Sequence, residues 1–247
     1  MLKELLYKSI ARQVPKDRKV VLTMSGGCDS ASLLFGLKEL GYTFEAHHYY
    51  FRNANEDTAT SVELCNRNLV PLIMHVFKEN DLKDKIEYLK KNFGAKGKIG
   101  LQCLVGYYDM SQKISDSVIV NGTYAEELYG CYKVIFLNGG TKDKDIFTRN
   151  RQKALASAGL KMFCDVFTKM FAQRNNQVVF PFNDHDLMTW FMSKNFKELN
   201  PKGLKGIFFE QWKNEIYGMN YPPERRSQQI TSGVRDYLKD DKEIKYK

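Results

Sequence analysis

The chain lacks any apolar run of about eighteen residues or more, so no membrane-spanning helix is expected. Its five cysteines, Cys28, Cys65, Cys103, Cys131 and Cys164, include no C-x-x-C pair and are odd in number. That argues against a structural zinc site and for a reducing, cytoplasmic setting. The four histidines, His47, His48, His75 and His185, do not fall at H-E-x-x-H spacing, which excludes the common zinc-hydrolase motif. The opening Met1-Leu-Lys-Glu-Leu-Leu-Tyr-Lys8 mixes charged and apolar residues and has no signal-peptide centre, so it reads as an amphipathic first helix. Repeats and low-complexity linkers are absent too.

What remains is a composition of 43% hydrophobic and 13% aromatic residues over 247 positions, enough for one large packed domain. Lys and Arg number 38 against 29 Asp and Glu, a net charge of +9. Such an excess suits an anionic partner, either nucleic acid or a nucleotide with its metal. The excess is spread out, densest at 83–98, 142–153 and 239–247. Spread lysines usually form a solvated surface, so nucleic acid is the less favoured partner.

The most informative segment is Val20-Val-Leu-Thr-Met-Ser-Gly-Gly-Cys-Asp-Ser30. An apolar, β-branched run meets two glycines, and a helical apolar pattern follows at Leu33, Leu34, Leu37 and Leu40. Strand, glycine turn and helix start in that order make an anion site. Gly26 and Gly27 let the backbone approach a ligand, while the first free N–H groups of the helix and the Ser25 and Ser30 hydroxyls offer hydrogen bonds to phosphate. Asp29 would repel that anion unless a bridging Mg²⁺ lay between them. The plainer alternative is a tight turn capped by Asp29 and Ser30. No lysine follows the glycines as in GxxxxGK[ST], and GxGxxG does not fit.

Strands are predicted near 20–24, 44–51, 71–77 and 117–121, with helices near 29–40, 57–69, 78–93 and 101–115 and a Gly/Lys loop at 94–100. This alternation predicts an α/β fold, a doubly wound parallel sheet with ligands at the carboxyl ends of its strands. From about 148 the pattern turns helical and irregular. The expected organisation is one domain over 1–247, with a soft boundary between a nucleotide-binding sheet (17–147) and a helical C-terminal lobe (148–247). After the fourth strand, Glu126 and Glu127 are paired acids opposite the phosphate loop. They suit Mg²⁺ binding or acid–base work, or else complement a helix dipole.

Residues 25–30 resemble the SGGxDS loop of the ATP pyrophosphatase superfamily, which has an adenine nucleotide alpha hydrolase-like fold. Those enzymes cut ATP between the α- and β-phosphates. Residues 121–132 resemble the (S/N)GxGxDExxGGY segment in the synthetase domain of asparagine synthetase and β-lactam synthetase: Gly122, Glu127, Gly130 and Tyr132 match, Glu126 stands for Asp, Thr123-Tyr124 for Glu-Gly, and Cys131 for Gly. Phe180-Pro-Phe-Asn-Asp-His-Asp-Leu187, Lys202–Glu210 and Pro222–Val234 resemble three later segments of the same domain in the right order.

The resemblance implies ATP and Mg²⁺ as cofactors, with Asp29 and Glu126 as metal ligands and Lys205 as the lysine that handles pyrophosphate. It also implies nucleotide contacts from Ser25, Gly26, Gly27, Asp29, Ser30, Gly122, Glu127 and Arg225. The implied reaction adenylates a small-molecule carboxylate and then joins it to ammonia or an amine. Two departures stand out. Gln177 and Val179 replace the family's Glu-x-Arg, and Gln cannot act as a base. No glutaminase domain or N-terminal cysteine precedes the loop, so nitrogen would come from ammonia, an amine or a separate glutaminase partner. Alternatives are a relative that modifies a nucleobase or nucleic acid, and a nucleotide-binding protein with impaired catalysis. Milder expectations are that Cys28 packs inward, that His47, His48 and at least one of Tyr107 and Tyr108 pack rather than catalyse, and that Asp184-His185-Asp186 caps a helix; Lys205, from sequence alone, reads rather as a surface lysine in a Gly/Lys-rich loop, and only the resemblance reverses this.

Overall fold

The computed structural model describes residues 1–51, 56–77, 82–131, 133–219, 221 and 234. In chain order the elements are α1 (Leu2–Gln13), β1 (Lys19–Thr23), α2 (Cys28–Glu39), β2 (Phe44–Phe51), α3 (Glu56–Arg67), β3 (Leu72–Phe77), α4 (Leu82–Phe93), α5 (Lys98–Ser111), β4 (Ser117–Val120), α6 (Ala125–Tyr129), α7 (Lys133–Phe136), α8 (Lys144–Leu155), α9 (Ala158–Ala172), β5 (Gln177–Val179), α10 (His185–Met192), α11 (Phe196–Leu199) and α12 (Gly206–Gln211). The strands form one sheet in the order β3-β2-β1-β4-β5, and every pairing is parallel. The chain winds outward from β1 to β3, then returns to lay β4 on the other side of β1. The α/β doubly wound class is as expected, and its switch point falls between β1 and β4.

The strands are apolar on both faces because both faces are covered. Val20 and Leu22 of β1 point into a core shared with α1, α2, α6, α10, α11 and α12, whereas Val21 points into a second core with α4, α5 and α9. Ala46, Val118 and Val120 join the first, and Tyr49, Phe51 and Ile119 the second. α2 is buried almost all round, from Ser30 through Leu37, and this fixes the loop before it. α1 buries Leu2, Leu6, Ser9 and Ile10 along one stripe. Its Ser9 hydroxyl donates to the Pro181 carbonyl, 2.6 Å away, and its Arg12 holds both oxygens of Asp184, the cap of α10. Asp184 thus caps a helix, as the sequence suggested.

Two expectations need correction. Position 148 lies inside α8, and the segment beyond it is not purely helical: Gln177–Val179 forms β5, pairing with β4 through Val118, Ile119 and Val120. Three residues are too few for a period-two pattern to show. The Gly/Lys loop is also shorter than 94–100, since α5 already starts at Lys98.

Toward the amino ends of β1 and β2 a polar chain runs from the surface inward to two buried histidines. Glu45 accepts from Lys19 at 2.6 Å and from His47 Nε2 at 3.0 Å, and His47 Nδ1 lies 2.8 Å from His75 Nε2. Because a carboxylate only accepts, a neutral His47 donates through Nε2 and accepts at Nδ1 from His75. His75 Nδ1 is then a bare lone pair, and it is buried without a partner among the described residues. Burial, with the nearby His47 and Lys113, pushes the His75 imidazole down to about 4. An unfolded chain takes up that proton near pH 6.5, so the stability conferred by neutral His75 is complete above that pH and is lost as the pH falls toward 4. The loss should reach at most about 3 kcal/mol. The His75 imidazole is expected to stay neutral at pH 5.5 in an NMR titration of the folded protein; titration near 6.5 would contradict the buried relay.

Candidate functional site

β1 ends at Thr23, and the chain turns through Ser25, Gly26 and Gly27 into α2. The turn closes on itself. The Ser30 hydroxyl donates to the Gly27 carbonyl at 3.1 Å and accepts the Ser25 N–H at 3.2 Å. The Ser25 hydroxyl accepts the Gly27 N–H at 3.2 Å and lies 3.1 Å from Ser30 Oγ, to which it must donate because Ser30 has already committed its hydrogen. Gly26 has φ +72°, and a Cβ there would sit 2.5 Å from the Asp57 carbonyl and 2.8 Å from Ser61 Oγ in the first turns of α3. Gly27 caps α2 in an extended conformation and gives the first N–H groups no side-chain acceptor. The loop therefore presents a helix N-terminus with hydroxyls beside it, suited to an anion.

The loop after β4 abuts this one. A Cβ on Gly122 would lie 3.2 Å from Asp29 Cβ and 3.6 Å from the Ser30 nitrogen. Asn121 ties the two strand ends together, donating from Nδ2 to Thr23 Oγ1 at 2.8 Å and accepting the Thr123 N–H at 2.8 Å. The chain then bends through Tyr124 at φ +78° into α6, which carries Glu126 and Glu127. Positive φ strains a tyrosine and suits glycine, the residue the resembling family has at this point. Tyr124 is anchored edge-on to Phe180, with ring centroids 5.7 Å apart.

Lys205 enters from 176 residues away. Its Nζ lies 2.6 Å from Asp29 Oδ2 and 4.0 Å from Glu126 Oε1. Its side chain is 14% exposed, that of Asp29 17% and that of Glu126 38%. The turn before it, Lys202–Leu204, is exposed, but the Lys205 side chain is directed inward, so it is not a solvated surface lysine. It has φ +57°, its N–H donates to Asn200 Oδ1 at 2.7 Å, and Asn200 Nδ2 donates to the Tyr129 carbonyl at the end of α6. Asn200 thereby sets Lys205 relative to the two glutamates. The next residue must be glycine, because a Cβ at Gly206 would fall 1.7 Å from the Pro201 carbonyl.

Burial alone would lower the Lys205 ammonium, but Asp29 and Glu126 outweigh it and hold the group well above its usual range. Glu127 is buried, and burial, with Glu126 and Asp29 adding to it, pushes its carboxyl up to about 7. Asp29 Oδ1 is buried with no hydrogen-bond partner among the described residues. A carboxylate oxygen in that position is costly, and a hard divalent cation is one ligand that would satisfy it. Among the described residues no cluster of three or more His, Cys, Asp or Glu forms a metal cage. Asp29 and Glu126 fit a Mg²⁺ that takes its remaining ligands from phosphate and water.

Ser25, Gly26, Gly27, Asp29, Ser30, Gly122, Glu126, Glu127 and Lys205 thus come together at the carboxyl ends of β1 and β4. Arg225, with Ser227 and Tyr132, lies outside the described residues. Gln177 does not join the group: it is the first residue of β5, and its side chain accepts from Arg18 at 3.3 Å near the amino ends of the strands. Val179 is buried in the first core. Cys28 packs inward, His48 bonds the Met24 carbonyl at 2.8 Å, and Tyr107 packs edge-on to Tyr49 and Phe167 in the second core, as expected of packing residues. Sequence reasoning missed Asn121, Asn200 and Tyr221, the last of which donates its hydroxyl to the Gly26 carbonyl at 2.9 Å. The five cysteines form no disulfide. Gly26→Ala should destabilise the fold by about 2 kcal/mol or more, since it adds positive-φ strain to an overlap with α3; a denaturation midpoint equal to wild type would remove the close approach.

The family model for asparagine synthase matches residues 1–204, ending one residue before Lys205. No curated protein matches the chain in sequence. Among solved structures, the chain is similar to a predicted subunit of tRNA methyltransferase from Methanocaldococcus jannaschii, with 12% identity and a TM-score of 0.38 over 71% of this chain and 74% of that one. It is also similar to the NH3-dependent NAD synthetase from Campylobacter jejuni in complex with the nitrate ion, with 14% identity and a TM-score of 0.37 over 92% of this chain and 96% of that one. With 204 of its 247 residues matched by the family model, the chain belongs to the asparagine synthase family.

Proposed function

We propose that this protein is an ATP-dependent ligase that adenylates a small-molecule carboxylate, releases pyrophosphate and forms an amide or other C–N bond. The observation that carries the reading is the meeting of Lys205 with Asp29 and Glu126 beside the Ser25–Ser30 loop. A buried ammonium between two carboxylates at a helix N-terminus suits a ligand that brings several negative charges and its own metal. Family membership over residues 1–204 supports the same class.

In this reading the triphosphate lies on the N–H groups at the start of α2, with the Ser25 and Ser30 hydroxyls turning from each other to its oxygens. The close packing of Gly122 against Asp29 keeps the two loops in register. Asp29 and Glu126 would hold Mg²⁺, which when bound neutralises phosphate charge. A substrate carboxylate oxygen attacks the α-phosphorus, and the bond to the bridging oxygen of the β-phosphate breaks. Lys205 stays charged because of its carboxylate neighbours, and it meets the charge that builds on departing pyrophosphate. An amine then attacks the acyl carbon and AMP leaves. Nitrogen would be supplied as ammonia, as an amine or by a separate glutaminase subunit. Since Gln177 points to Arg18 at the far end of β5, its replacement of glutamate does not alter the phosphate end of the site.

Purified protein with Mg-ATP and a panel of carboxylates should catalyse pyrophosphate–ATP exchange and accumulate AMP. Stoichiometric ADP and phosphate would overturn the assignment. Lys205→Ala should lower kcat by about a hundredfold or more with little change in the KM for ATP. Because Lys205 is buried in an ion pair, thermal melts in parallel separate a lost charge at the leaving group from a weakened fold. Asp29→Asn and Glu126→Gln should each lower turnover by about a hundredfold; a greater loss from Glu127→Gln than from Glu126→Gln would show that the metal reading has taken the wrong member of the pair.

A further inference from the structure

Gly26 and Gly27 leave the peptide between them with the least steric resistance to rotation in the phosphate loop, since neither flanking residue carries a Cβ. Gly26 is needed for its approach to α3, while Gly27, in an extended conformation, caps α2 without a side chain. The same freedom would let this peptide turn over. In a trans peptide the carbonyl and the N–H point in opposite directions. Turned one way, the Gly27 N–H faces Ser25 Oγ inside the loop, where an anion would sit, and the Gly26 carbonyl faces away. Turned the other way, a carbonyl oxygen would face the anion and repel it.

Two contacts hold the first orientation: the Gly27 N–H on Ser25 Oγ within the loop, and one from outside it. The Tyr221 hydroxyl donates to the Gly26 carbonyl at 2.9 Å, and both groups are buried. The Tyr221 ring rests on Phe208 and Phe209 of α12, with centroids 5.7 Å from each. α12 begins immediately after Lys205. The phenol therefore reaches the loop from the same structural unit that delivers the lysine.

We propose that Tyr221 is a positioning residue that locks the Gly26–Gly27 peptide with its N–H toward the phosphates. The lock consists of this one hydrogen bond from outside the loop. It rests on the loop receiving the phosphates of ATP, as proposed above. The lock acts on binding rather than on the chemical step, because the loop must face the anion in the ground state and the transition state alike. If part of the population carries the turned peptide, the apparent affinity falls by the competent fraction.

The test is Tyr221→Phe, which removes the hydroxyl and keeps the ring against Phe208 and Phe209. Binding of ATP and of inorganic pyrophosphate, each with Mg²⁺, is measured directly by calorimetry, with steady-state kinetics alongside. The dissociation constant for ATP and its KM should each rise, by up to about fivefold, the limit that one net hydrogen bond sets through the competent fraction, while kcat stays within about twofold. Phe209→Leu loosens the packing without touching the hydroxyl. It should lower the melting temperature and leave the ATP dissociation constant within about twofold of wild type. Equal ATP affinity in wild type and Tyr221→Phe would overturn the lock, as would a Phe209→Leu affinity loss as large as that of Tyr221→Phe, which would mark a packing effect. Failure of the wild-type protein to bind either ligand would instead overturn the functional reading beneath it, and the lock with it.

Discussion

The ion pair between Lys205 and Asp29 is the constraint on which the rest of the site depends. An ammonium and a carboxylate this little exposed are tolerable only together, since removing one partner leaves an uncompensated charge. Their meeting requires β1 and β4 to be neighbours, because those strands end beside Asp29 and α6. It requires α11 and α12 to fold back across the sheet, because Lys205 sits between them. The doubly wound order supplies the first condition. The first core supplies the second, with Leu199, Phe208 and Trp212 buried alongside Leu33, Leu34 and Val120. Sheet topology and site electrostatics are in this sense one problem: the switch point places the carboxylates, and the packing behind it places the cation.

The backbone around the site carries strain that the packing holds in place. Gly26, Tyr124 and Lys205 all have positive φ, and each lies at a bend that brings a functional group to the same point. Only the first is glycine. Tyr124 holds its bend through Phe180, and Lys205 through Asn200. Non-glycine residues in this region of backbone space persist only where their surroundings over-determine them, and such positions gather at functional sites.

The parts of the fold legible in the sequence were those whose signal is local. The run from Val20 to Ser30 joins a two-sided apolar strand, a glycine pair and a helix start, so β1, the loop and α2 could be placed from it. Phe44–Phe51 was long enough to read as a strand, and the acids after β4 stood out as a pair. β5 was illegible because three residues carry no period. Lys205 was ambiguous because nothing in Gly-Leu-Lys-Gly separates a surface turn from a buried cation; only its resemblance to a lysine-bearing segment favoured the site, and the deciding quantity is a contact across 176 residues. Tyr221 had no signal at all, being one of fourteen tyrosines with no local pattern to mark what its hydroxyl touches. The strain at Tyr124 was equally hidden, since a side chain's name does not reveal its φ.

The separation of Lys205 from Asp29 along the chain also sets an order in time. A ribosome delivers the glycine loop, then the two glutamates, and only much later the lysine. Until that lysine arrives the loop stands beside bare carboxylates, which oppose an incoming triphosphate. A chain ending before Lys205 would therefore hold an anion at this loop poorly.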